Sequence, residues 1–216
     1  MMCSHLIAMI VMLPAGQAAD TFGKTNAQIL EMGLDNWSKF YAAHAGDSTA
    51  ASVTASGLYG DLAYERNSRL IRGRKRSEAK RLGQIRKMLE DFGGSVMQLG
   101  YRASGGGTMW NQMSAGSYAE AEDTLYRILR PAGFPAAKPR VVSDVSKALA
   151  KFRPQIEHWS KDDGVSPEDQ KMAKQYFAET TALYLKIAAA AAHFDRHTSD
   201  RILGYCLDQV NVLVDL

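Results

Sequence analysis

His193 and His197 stand four residues apart in a run of helix-forming residues. At about 100° per residue, that spacing puts both imidazoles on one helix face. Two imidazoles so placed make half of a zinc or copper site. Asp195 lies between them, and His44, His158 or Asp200 would have to supply the remaining ligands. The competing account is two histidines near a helix end, where they suit the negative pole of the dipole. The ligand count favours that account, because two partners are missing. There is no His-Glu-x-x-His and no Cys-x-x-Cys-His, so neither a metalloprotease nor covalent haem has support.

Other groupings imitate chemistry without completing it. Gly23-Lys24-Thr25 resembles the end of a phosphate loop, but Ala18 stands where the first glycine is required. Ser77-Glu78-Ala79-Lys80 matches Ser-x-x-Lys, without the partner motifs, and Ser77 reads better as a helix cap. Gly105, Gly106 and Gly107 could expose backbone N–H groups to an anion, but three glycines more commonly mean a turn. Glu157, Asp162 and Asp163 could pair as acids, yet nothing nearby marks them as buried. No catalytic residue is assigned, and the chain reads as non-catalytic.

The strongest signal is charge. Residues 66–87 hold Arg66, Arg69, Arg72, Arg74, Lys75, Arg76, Lys80, Arg81, Arg86 and Lys87 against one acid, Glu78. The segment is therefore +9, while the whole chain is only +3. If it were one helix, Leu70, Ile71, Leu82, Ile85 and Leu89 would fall within an arc of about 120°. Eight of the ten basic residues would face the other way, as a ridge outside the bundle. Arg74 and Arg81 break that pattern, which points to an interruption near Gly73. A solvated helix face is the ordinary meaning of a charge run, but such faces mix their signs. Clustered positive charge concentrates polyanions. The residues assigned to an anionic partner are Arg66, Arg69, Arg72, Arg76, Lys80 and Lys87. No aromatic residue interleaves with them, so base stacking is not supported, and no nucleic-acid-binding motif is visible.

The elements that must hold these residues are helices. Thr25-Asn26-Ala27-Gln28 reads as a capping box that opens a helix through Ile29, Leu30, Leu34, Trp37, Phe40 and Tyr41. Gly46 and Asp47 read as its stop, and Ser48 or Thr49 as the next cap. A second helix then carries Val53, Leu58, Tyr59, Leu62 and Leu70. At Gly73 two readings stand open: a helix end with Ser77 as the next cap, or an uninterrupted helix. Leu82, Ile85, Leu89, Phe92, Val96 and Leu99 recur every three or four residues, an amphipathic helix. After a glycine break at 104–108, a helix carries Met109, Trp110, Met113, Tyr118, Ala121, Leu125 and Leu129. The three prolines of residues 131–140 mark a linker. A helix over 143–159 follows, kinked at Pro154. Ser166-Pro167-Glu168-Asp169 is the clearest helix start in the chain. It leads through five alanines at 188–192, with a last helix that reads as either separate or continuous. No β-alternating run is seen. The expected fold is all-α, five to seven helices around one core.

Residues 1–18 stand apart. An apolar run at 6–13, Pro14, and the small residues Gly16 and Ala18 make the layout of a signal peptide cut after Ala18. Its n-region lacks Lys and Arg, so the alternative is an apolar first helix that stays in the fold. Cleavage would remove Cys3 and leave Cys206 alone, a small core residue without a disulfide. Residues 19–216 then form one domain. The most apolar later stretch, 183–194, is too short to span a bilayer, which takes about 20 residues. The expected protein is periplasmic or secreted. It binds an anionic surface or polymer (lipid headgroups, lipopolysaccharide, cell wall) or an acidic protein. Zinc or copper at His193 and His197 is the alternative. Nucleic acid becomes the partner if the chain stays in the cytosol.

Overall fold

The computed structural model describes residues 24–45, 48–106, 108–159, 161 and 164–214. The 1–18 leader with Cys3, the stop at Gly46 and Asp47, Gly107, and the acids Asp162 and Asp163 lie outside the described residues. So do the side chains of Tyr41, His44, Ser48, Thr49, Val53, Met109 and Trp159.

Seven helices make up 85% of the described residues, and none of these residues is in a strand. They are α1 (Asn26–Ala45), α2 (Ser48–Arg72), α3 (Arg76–Ala103), α4 (Thr108–Leu129), α5 (Val142–Trp159), α6 (Pro167–Ala191) and α7 (Arg196–Val214). None is long and apolar enough to cross a membrane.

Local chemistry sets several helix ends. The capping box forms at the start of α1: the Thr25 N–H donates to Gln28 Oε1 at 2.8 Å, and the Gln28 N–H donates to Thr25 Oγ1 at 3.3 Å. Gly33 then kinks α1, with φ 75° and ψ 167°, a conformation other residues resist. At α6, the Asp169 N–H donates to Ser166 Oγ at 3.1 Å, with Pro167 in the first turn. Between α3 and α4, Gly105 and Gly106 take φ of 74° and 97°, so the glycine run serves the turn. Trp110 Nε1 closes that turn onto Ser104 Oγ at 2.7 Å.

Two open readings resolve as breaks. The chain leaves helix after Arg72 and resumes at Arg76. Lys75, not Ser77, occupies the cap position of α3, and its side chain makes no capping bond. The chain breaks again between Ala191 and Arg196, so the last two helices are separate. Asp195 is the reason: its carboxylate accepts the Thr198 N–H at 3.0 Å and the Thr198 hydroxyl at 2.9 Å.

α3 is the central helix, packed by α4, α6 and α7. Its stripe Leu82, Ile85, Leu89, Phe92, Val96 and Leu99 is buried, as the periodicity predicts. Close packing needs glycine here. A Cβ at Gly100 would enter the Trp110 ring, and one at Gly93 would strike the Ser117 and Tyr205 hydroxyls. Cys206 is fully buried in the same core, where desolvation pushes its thiol up.

Among the described residues, the expected single core is two clusters. The larger is built on α3 to α7. The smaller holds Ile29, Trp37, Ala55, Tyr59, Ala63 and Ala119, where α1 covers α2 and α4. Along α2, Ala63 belongs to the smaller cluster and Leu70 packs on the larger. Between them sits buried Asn67, whose amide donates to Glu122 Oε2 at 2.8 Å and to the Glu122 carbonyl at 2.7 Å. A polar layer thus divides the apolar interior.

The proline-rich stretch is a strap rather than a free linker. A 3-10 turn, Pro131–Gly133, leads into extended residues. Phe134 packs edge-on to Tyr126 at 5.6 Å, Arg201 donates to the Pro135 carbonyl, and the Arg140 N–H donates to Asp200 at 2.9 Å.

Candidate functional site

The break at Gly73 turns the basic segment into a hairpin. Its tip joins the end of α2 to the start of α3. Arg74 Nη2 donates to the Leu129 carbonyl at 3.2 Å, which ties the tip to the end of α4. Arg81 lies over the Phe194 ring at 5.3 Å, which ties it to the α6–α7 turn. One end of the bundle therefore collects these four chain segments.

The six residues assigned from sequence divide in space. Arg69, Arg72, Arg76 and Lys80 are exposed at the tip, together with Lys75. None of these five makes an ion pair among the described residues. Lys87 lies about two turns beyond Lys80 along α3 and pairs with Asp91 at 2.9 Å. Arg66 is half-buried and lies over Tyr126, with its guanidinium carbon 3.5 Å from the ring centroid. The expected outer ridge of eight is therefore wrong in part. Separate helices do not share one angular register, and Arg66 and Arg86 turn inward to partners that no local pattern reveals.

Arg86 makes the deepest of these contacts. Its Nε lies 2.9 Å from Glu122 Oε1, and its Nη2 donates to Glu122 Oε2 at 3.1 Å. Glu122 is fully buried. Glu90 faces it from α3, and its carboxyl is pushed up to about 7, by burial first and by the Glu122 charge second. Nothing in the sequence around Glu90 or Glu122 marks them.

A cleft of about 1150 Å³ opens on another side, between α1, α2, α4, α7 and the strap. Arg66, Asp123, Arg127, Arg201 and Asp208 are among its lining residues. The Tyr59 hydroxyl donates to Asp123 at 2.8 Å, and Asp123 pairs with Arg127 at 2.6 Å. Arg201 contacts His197 Nε2 at 3.3 Å and the Pro135 carbonyl. Sequence reasoning missed Arg127, Arg201 and Asp208. They come from two helices 70 residues and more apart, and only packing joins them.

His193 and His197 do not share a helix. His193 lies in the turn after α6, and His197 in the first turn of α7. The one-face argument fails at the break that Asp195 caps. Asp200, offered as a third ligand, instead accepts the Arg140 N–H and the Arg196 guanidinium. Burial pushes its carboxyl up, but those two donors outweigh burial and hold it low. His158 is exposed on α5. Among the described residues, no three His, Cys, Asp or Glu side chains gather as a metal site.

Comparisons with protein-family models, with curated proteins and with solved structures find no match to this chain.

Proposed function

We propose that this is an exported, non-catalytic binding protein of the bacterial envelope, which docks on anionic phospholipid through the α2–α3 hairpin tip. The observation that carries the reading is an electrostatic cost. Arg69 and Arg72 sit in the last turn of α2, where a cation suits the dipole. Lys75 and Arg76 crowd the start of α3, where a cation is repelled by it, only Glu78 there is acidic, and Lys80 follows one turn on. Helix stability does not explain the first two. A partner of opposite charge does.

The shape favours a surface over a small ligand. A hairpin tip is convex, and five exposed cations without an ion pair among the described residues sit on it. Each basic residue near an anionic leaflet contributes roughly 1 kcal/mol. Among the described residues, no exposed large apolar side chain falls within 66–87, and Tyr64 stands just before the segment. The contact would be electrostatic, reversible and weakened by salt. Export rests on the leader layout of residues 1–18 alone.

The test is co-sedimentation of the full chain with phosphatidylglycerol-rich vesicles and with phosphatidylcholine vesicles. Binding should need the anionic lipid and fade with salt. The triple variant Arg72→Glu, Arg76→Glu, Lys80→Glu should not bind. It should stay folded, because the acid that suits the start of α3 at position 76 offsets the one that opposes the dipole at the end of α2. Undiminished binding by a folded triple variant would discard the reading. Tight binding to nucleic acid in place of vesicles, with N-terminal sequencing that still finds Met1, would favour the cytosolic alternative.

A further inference from the structure

The cleft is dipolar. α4 ends and α7 begins at the hairpin end of the bundle, as Arg74 on Leu129 and Arg81 on Phe194 show, so the two helices run in opposite directions. Each presents an acid and an arginine to the cleft, seven residues apart: Glu120 and Arg127 on α4, Arg201 and Asp208 on α7. Seven residues are two helical turns, so both pairs lie on one face and span about 10 Å. Antiparallel packing then sets arginine by arginine at one end and acid by acid at the other.

Both ends are self-repelling. Desolvation and then the Arg127 charge hold the Arg201 guanidinium below its usual range, against the Asp123 charge. Desolvation, with Asp208 and then Asp35 and Asp123 adding to it, holds the Glu120 carboxyl above its usual range, against a hydrogen bond from Gln209. Asp123 already pairs with Arg127, which leaves Arg201 without a carboxylate of its own among the described ion pairs. Lys138 and Arg140 of the strap act on Asp208 and offset part of the acidic end, but burial still leaves its carboxyl raised. Gly204 lies between Arg201 and Asp208, and a Cβ there would have only Arg140 near it, at 4.0 Å. The middle of the cleft is thus open.

We infer that the cleft binds a short linear zwitterion, its anionic end on Arg127 and Arg201 and its ammonium end on Glu120 and Asp208. The span selects the class. An extended chain advances about 3.3–3.6 Å per residue, so charges about 10 Å apart match an unblocked tripeptide. The inference does not rest on the hairpin reading, since it uses none of the tip residues.

Calorimetric titration of the full chain with trialanine tests it. The expected result is saturable binding with a dissociation constant below about 1 mM, weakened at least about tenfold by N-acetylation or by C-terminal amidation. Dialanine should bind as weakly as the blocked peptides. Asp208→Asn should lower affinity for trialanine and leave affinity for its N-acetyl form unchanged. The hairpin triple variant should bind trialanine normally, which separates failure of one reading from failure of the other. No saturable binding up to about 10 mM overturns the inference, and so does equal affinity for blocked and unblocked peptide. Because the blocked peptides change only the ligand, that comparison does not depend on how any variant folds.

Discussion

Glu122 has no exposure to water, and Arg86 and Asn67 both reach its side chain. Glu90 feels the Arg86 charge too, but burial and the Glu122 charge outweigh it. Its carboxyl, raised to about 7, keeps its proton in the native state where the unfolded chain has lost it. Between its unfolded value near 4.5 and its native value near 7, the native state therefore binds more protons. The stabilising effect is complete below that window and is lost as pH rises through it. Replacing Glu90 with Gln removes the ionisation. Urea unfolding should then show the variant more stable than the parent at pH 8, by up to about 3 kcal/mol, and little different at pH 4. A constant difference across that range would mean that Glu90 does not titrate in this window.

At the scale of the helix, the Asp195 cap decides whether α6 and α7 are one element or two. The five alanines of 188–192 are strong helix formers, and propensity alone would carry the helix onward. Asp195 stops it by offering its carboxylate to the Thr198 N–H, and that bond is the main cause holding its carboxyl low. Its contribution is therefore present above the usual carboxylate range and is lost as pH falls through the depressed value. Asp195→Ala should cost about 1 kcal/mol in thermal or urea unfolding at pH 7, and Asp195→Asn much less, because Asn also caps well. An equal loss for both would place the effect outside the cap. The same logic applies in reverse at Gly73. There the break comes without any side-chain cap, and the cost falls on the crowded cations of the tip.

Across the whole molecule, the divided interior should divide stability. α1 packs mainly on α2, and the cluster beneath it holds six buried apolar residues among those described. α3 is covered by α4, α6 and α7 and runs through the larger cluster. Local opening costs less where fewer apolar contacts must be given up. Amide hydrogen exchange should therefore be faster in α1 than in the middle of α3. Equal protection in both would show that the polar layer at Asn67 and Glu122 does not uncouple the clusters. The two proposed surfaces use different residues, the basic tip at one end of the bundle and the dipolar cleft along its side.

The sequence by itself determined the helical class, because apolar residues at spacings of three and four recur in α3 and its neighbours, and a period is a local property. It also determined the Thr25 and Ser166 caps, whose donors and acceptors lie within three residues of each other. The excess of charge in 66–87 was equally plain. Tertiary structure decided which of those charges remain available. Arg86 is consumed by Glu122, 36 residues away, and Arg66 by the ring of Tyr126, 60 residues away, and no local spacing encodes such pairings. It also decided the cleft. Glu120 with Arg127, and Arg201 with Asp208, look in sequence like two ordinary charged helix faces. They become one dipolar site only because α4 and α7 pack in opposite directions, and relative direction is a property of the assembled bundle.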